Sequence, residues 1–219
     1  MSVWKEGSIF NGCNKDVRDA ISEQAKLIQL KGLELQAWVE KDLFGVVAGF
    51  PNYEFYDEKT LGRGGNKIKN SVLYERLLVN GAWPDIDSVI VHCPTMEPVI
   101  VVSSKASLND DHMYSTILHG LWFQEKNIKF IVITKDTKGI FKTGETKYLK
   151  HVKKHDFVIY VNNHNNYDDP KQVHNWGEYS FCDNIKPYFQ CSNDIFNIIT
   201  CHTKDNGHKL HKYFDFTKK

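Results

Sequence analysis

Apolar residues recur at helical spacing near the start of the chain, at Val17, Ile21, Ile28, Leu35, Val39 and Leu43. That period predicts a helical layer over about residues 14–45, with Gly32 dividing it into two helices. Its apolar stripe serves either to support a core or to pair two copies of the chain. Further on the period changes. Ser88–Val91 and Val99–Val102 are short, β-branched and apolar, which predicts two strands buried on both faces. Pro94 and Pro98 bracket the connection, and its length suits a hairpin. From Asp110 to Glu125 the helical period returns, with Met113, Ile117 and Leu121 on one face and Leu118 and Trp122 beside them. Asn109 or Asp110 caps the start of this helix and Asn127 ends it. Ile128–Thr134 then reads as a strand, so strand, helix and strand form a unit whose two strands run parallel. Phe157–Val161 predicts one more strand. The pattern as a whole predicts an α/β chain with a mixed central β-sheet flanked by helices.

The polar residues at the ends of the hairpin change the picture. Trp83-Pro84-Asp85-Ile86-Asp87 leads into its first strand, and Ser103-Ser104-Lys105 closes its second. Alternate side chains of a strand share a face. Asp85 and Asp87 therefore point one way, as do Ser103 and Lys105. Antiparallel pairing brings acids and lysine to one edge of the sheet. Such an edge suits phosphodiester hydrolysis. Carboxylates hold Mg²⁺, a hard oxygen-seeking cation, and the metal polarises the phosphate and acidifies water. A lysine orients that water or stabilises the developing charge.

Pro84-Asp85 followed by Ser103-Ser104-Lys105 resembles the active site of the PD-(D/E)xK nuclease superfamily, and within it type II restriction endonucleases. The resemblance runs from about Gly62 to Asp136, through Asn70-Ser71-Val72-Leu73-Tyr74-Glu75-Arg76, the hairpin, Ser103–Asp110 and Lys129–Thr134. The first 60 residues and the last 80 carry none. The resemblance implies a restriction-endonuclease-like core and a single nuclease domain over 1–219. Within it lie the helical layer, a catalytic core over about 62–136, and a C-terminal region, 137–219, available for DNA recognition. It implies sequence-specific cleavage of double-stranded DNA by a homodimer, with Mg²⁺ as cofactor and Mn²⁺ as a substitute, leaving a 5′-phosphate. Asp85 would be the main metal ligand with Asp87 its rival, and Lys105 would position the nucleophilic water. Ser103 stands where the family usually has a carboxylate, and would occupy the second ligand position directly or through water. Either another acid supplies that charge or the site is silent. Glu75, on the helix before the hairpin, is the first choice for a metal-ligating replacement. Asp110 and Asp111 come next, and Glu125 lies too far along its helix. Two other classes stay open: a repair or structure-specific nuclease, and a catalytically silent DNA-binding module.

Composition changes this picture little. The chain has 219 residues and a formal net charge of +1, so a DNA-binding surface has to be local. The start of the sequence lacks the features of a signal peptide, and no apolar run approaches a membrane span. Five cysteines without regular spacing point to a reducing cytoplasm. Gly62-Arg63-Gly64-Gly65, with Lys67, Lys69 and Arg76 around it, reads as a phosphate cradle or a plain turn. Asn162–Pro170, within the polar stretch 136–180, reads as a base-reading segment or an ordinary solvated loop. His112 and His119 miss metal-ligand spacing on their helix. Cys182, Cys191, Cys201, His202, His208 and His211 match no zinc pattern, and core cysteines and surface histidines are the default.

Overall fold

The computed structural model describes residues 15–105, 108, 110–135, 141, 157–162 and 183–213. Six strands form one mixed sheet in chain order: β1 (Tyr53–Tyr56), β2 (Ser88–His92), β3 (Glu97–Lys105), β4 (Lys129–Thr134), β5 (Val158–Val161) and β6 (Ile185–Pro187). The first three strands pair antiparallel and the last four pair parallel, so β3 belongs to both halves. This double membership lengthens it. Glu97 to Val102 pairs with β2, and Ile100 to Lys105 pairs with β4. The backbone beyond the apolar run Val99–Val102 thus has ladder partners as far as Lys105. The hairpin connection is a single 3-10 turn, Cys93–Thr95, closed by Met96 in the left-handed region.

Helices cover both faces of the sheet. On one side lies α1 (Lys15–Val47), which buries Leu35, Val39, Leu43 and Val47 against Ile90, Ile100, Val102, Ile131 and Ile133. The expected division at Gly32 does not occur, because α1 is continuous through it. A glycine in a helix interior costs only about 1 kcal/mol. The packing of the four apolar side chains that follow outweighs that. Beside α1 lies α5 (Cys191–Tyr213), with Cys191, Ile195 and Ile199 in the same core. Asp42 of α1 accepts hydrogen bonds from Tyr188 Oη at 2.8 Å and Ser192 Oγ at 3.1 Å, which ties the two helices together.

The other face carries α3 (Val72–Leu77) and α4 (Asp110–Glu125), with the short α2 (Glu58–Leu61) near the end of β1. Leu73, Leu77, Met113, Ile117 and Phe123 pack there on Val89, Val101, Phe130 and Val132. The buried stripe of α4 runs Met113, Thr116, Ile117, Gly120 and Phe123, and Leu118 is 65% exposed. Gly120 permits this contact, since a Cβ there would stand 2.4 Å from the Phe157 ring. Among the described residues no helix is long and apolar enough to cross a membrane.

One glycine links the fold to the acidic segment. Gly65 has φ +71°, and a Cβ on it would lie 2.4 Å from the Trp83 ring. That ring stacks on Tyr74 of α3 at 5.4 Å between centroids and immediately precedes Pro84-Asp85. Gly65→Ala is therefore expected to cost about 2–4 kcal/mol, from left-handed backbone strain and overpacking together. Chemical denaturation of the variant checks this.

Candidate active site

The convergence expected from strand pairing is present. Ser88 lies opposite Val102, and Asp87 N–H donates to the Val102 carbonyl at 3.0 Å. One step further out, the Ser104 N–H donates to Asp87 Oδ2 at 2.5 Å. Ser103 Oγ donates to the Asp85 carbonyl at 3.1 Å, and Lys105 Nζ is hydrogen-bonded and ion-paired to Asp85 Oδ2. Three consecutive residues at the end of β3 thus grip the segment entering β2. The side chain of Lys105 is 15% exposed and that of Asp85 is 62% exposed. The ammonium group is held inward, and the carboxylate faces whatever arrives from solvent.

Asp87 differs from its neighbour. It is half-buried, and burial pushes its carboxyl up to about 6. The Ser104 N–H and the Lys105 charge oppose that rise, while Asp85 and Glu58 add to it. Asp85 and Glu58 thus both act on Asp87, and Lys105 pairs with Asp85.

Glu58 is the member that the sequence pattern missed. Tyr56, the last paired residue of β1, lies opposite Val89, and two residues further on Glu58 opens α2, where its charge adds to the rise of Asp87. Glu58 Oε2 accepts from Gln36 Nε2 of α1 at 3.0 Å, and the same amide donates to Glu40 Oε1 at 3.0 Å. The available signal was the aromatic run Tyr53-Glu54-Phe55-Tyr56 after Phe50-Pro51-Asn52, which marks a short strand ending in acids.

The other expected participants are placed differently. Glu75, the first choice for the missing acid, is exposed on α3. Among the described residues no hydrogen bond or ion pair joins it to Asp85, Asp87, Ser103 or Lys105. With Leu73 and Leu77 turned into the core, position 75 lies about 200° around the helix from Leu73 and faces out. Ser103 is 2% exposed and has its hydroxyl bound to the backbone of Asp85, so its evident role is to clip the two strands together. Glu125 is exposed at the far end of α4. The side chains of Asp110, Asp111 and His112 lie outside the described residues, as does nearly all of 136–180. His119 is half-buried and meets the Phe130 ring edge-on at 6.4 Å between centroids. Burial holds it below the usual histidine range, with Asp85 acting against that and Lys105 with it.

Among the described residues no group of three or more His, Cys, Asp or Glu is set to hold a metal ion. Of the C-terminal cysteines and histidines, Cys191 is buried in the core and Cys201 is exposed. His202 Nδ1 hydrogen-bonds to Tyr53 Oη at 2.8 Å. Cys182, His208 and His211 fall outside the described side chains. Comparison of the chain with family models, with curated proteins and with solved structures finds no match.

Proposed function

We propose that the protein is a Mg²⁺-dependent, sequence-specific endonuclease of double-stranded DNA, built on a restriction-endonuclease-like core and similar to type II restriction enzymes. The observation that carries this reading is the Lys105–Asp85 pair. It crosses the hairpin at one sheet edge, with Asp87 beside it on the Ser104 N–H. An acid–lysine edge of this kind is what the Pro-Asp … Ser-x-Lys resemblance calls for.

The residues fit a hard divalent cation. Asp85 and Asp87 offer carboxylate oxygens, and the charge of Glu58 at the start of α2 acts on Asp87. Burial is the main reason the Asp87 carboxyl is raised, with Asp85 and Glu58 adding to it, and a cation bound there would offset that cost. Mg²⁺ is usually held by one or two carboxylates, several waters and substrate phosphates, so a ready-made cage of three protein ligands is not required. Bound there, it would neutralise charge on the phosphoryl group and acidify water.

The chain's own residues supply the rest. Lys105, held on the sheet edge, is placed to hold the attacking water or to donate to a phosphoryl oxygen as charge builds there. Asp85 orients the ammonium through their ion pair. Water attacks phosphorus, the bond to the 3′-oxygen breaks, and a 5′-phosphate and a 3′-hydroxyl remain. A palindromic site would be cut by two copies related by two-fold symmetry.

Digestion of phage DNA tests this reading. With Mg²⁺ or Mn²⁺, discrete fragments with 5′-phosphate ends are expected, and with chelator none. Cutting that persists undiminished in chelator would sink it. A smear instead of bands would move the protein to a repair or structure-specific nuclease. One observation favours a silent DNA-binding module: the Ser103 hydroxyl is already bound to backbone. DNA binding without nicking at any metal concentration would establish that alternative.

A further inference from the structure

The glycine-rich loop has a use that the hydrolytic site does not absorb. Together with α1 it forms a cavity of about 490 Å³, lined also by Glu58 and Lys59 of α2. Three cations line the loop side. Lys67 Nζ is drawn onto the Lys59 carbonyl at 2.6 Å, which fixes its ammonium group at the wall. Lys59 is exposed beside it. Arg63 is exposed and, among the described residues, makes no hydrogen bond or ion pair. The two acids of the cavity, Glu40 and Glu58, are both engaged by the amide of Gln36. That leaves the guanidinium free for an anion from outside, and it is suited to bidentate contact with phosphate. On the opposite wall α1 presents Leu33 and Ala37, both exposed. A cationic wall facing Leu33 and Ala37, set beside the Gln36–Glu40 pair, suits one nucleotide unit, with phosphate on one side and sugar or base on the other.

On the endonuclease reading, the scissile phosphate sits at the Asp85–Lys105 edge. β1, paired with β2 as far as Tyr56–Val89, leads directly into Glu58 and Lys59 on the cavity wall, so the cavity adjoins the end of the sheet that carries Asp87. We infer that the cavity between α1 and the Gly62–Gly65 loop holds a nucleotide adjoining the scissile phosphate, with Arg63 on its phosphate and Leu33 and Ala37 against its sugar or base. Phosphate contacts of this kind set the register of a strand and carry no sequence information.

The test uses the full chain carrying Lys105→Ala, so that binding is read without cleavage, and sheared phage DNA over a series of salt concentrations. Arg63→Ala should weaken binding about tenfold and make the plot of log K against log salt shallower by about 1, as for one lost phosphate contact. Arg63→Lys should restore most of that slope. Ala37→Trp, at an exposed helix position, should fill the cavity and weaken binding at least as much, with melting temperature unchanged. If the wild-type chain cuts DNA while Arg63→Ala or Ala37→Trp binds like the parent, the cavity assignment is wrong and the endonuclease reading survives. If the parent does not bind DNA and the wild-type chain does not cut it, both are wrong. Binding of inorganic phosphate or free nucleotides with the same Arg63 dependence, but no binding of DNA, would mark a small-anion site and overturn the inference.

Discussion

Lys105→Ala is expected to lower the single-turnover rate of DNA cleavage by about 10²–10³-fold while leaving DNA binding within a few-fold of wild type. On the endonuclease reading the lysine acts on charge that develops only as the phosphodiester breaks, so its removal falls on the rate and not on ground-state affinity. The fold should tolerate the change. Lys105 pairs with an Asp85 that is 62% exposed, and an ion pair open to solvent on one side contributes at most about 1 kcal/mol. The strands stay joined by Ser103 Oγ on the Asp85 carbonyl and by the Ser104 N–H on Asp87. Rates on plasmid DNA, read beside a thermal melt, separate the two effects. A variant that cuts at the wild-type rate removes Lys105 from the mechanism. A variant that melts far below wild type makes it a structural residue.

Asp87→Asn should produce the opposite pairing of effects, with lost activity and gained stability. Burial raises the Asp87 carboxyl to about 6, whereas an unfolded aspartate titrates at about 3.9. Between those two values the native state binds more protons than the unfolded chain, so stability falls as pH rises through that window. Above about pH 6 the full cost is present, on the order of 2–3 kcal/mol in the metal-free protein. Asparagine keeps an oxygen for the Ser104 N–H and cannot ionise. The metal-free variant should therefore melt above wild type at pH 7 and match it near pH 4. Added Mg²⁺ should narrow the gap at pH 7 by stabilising only the wild-type chain. A variant less stable than wild type at pH 7 would show that the ionised carboxylate supports the fold. Asp85→Asn, at an exposed carboxylate, should leave stability nearly unchanged, so the pair of variants separates a buried carboxylate from one facing solvent.

The mixed sheet flanked by helices and the convergence of Asp85, Asp87, Ser103 and Lys105 were legible in the sequence. Both rest on local rules. β-branched runs bounded by prolines mark the hairpin, alternation assigns faces, and antiparallel pairing aligns the two ends. The boundaries of α4 and the parallel course of β4 followed from a helical period between two strands. What failed were judgements that need a third element. Gly32 did not break α1, because the decisive energy lies in the packing of Leu35, Val39, Leu43 and Val47 on the sheet. The helix α5 and the three-residue strand β6 went unforeseen, since one is strongly polar outside its buried stripe and the other is too short to show a period. Leu118 was placed beside the apolar face of α4 and is exposed, because the sheet selects which arc of the helix is buried.

The acids show the same division most sharply. That Asp85 and Lys105 meet follows from the hairpin alone, since its alternation and turn set the register. The sequence by itself could not determine which further carboxylate joins them. Glu75 lies close in sequence and points out, because Leu73 and Leu77 orient its helix. Glu58 lies 29 positions from Asp87, and its charge reaches that carboxyl because β1 pairs with β2 and ends next to it. Electrostatic neighbourhood depends on distance through space, and only the tertiary pairing of β1 decided that distance.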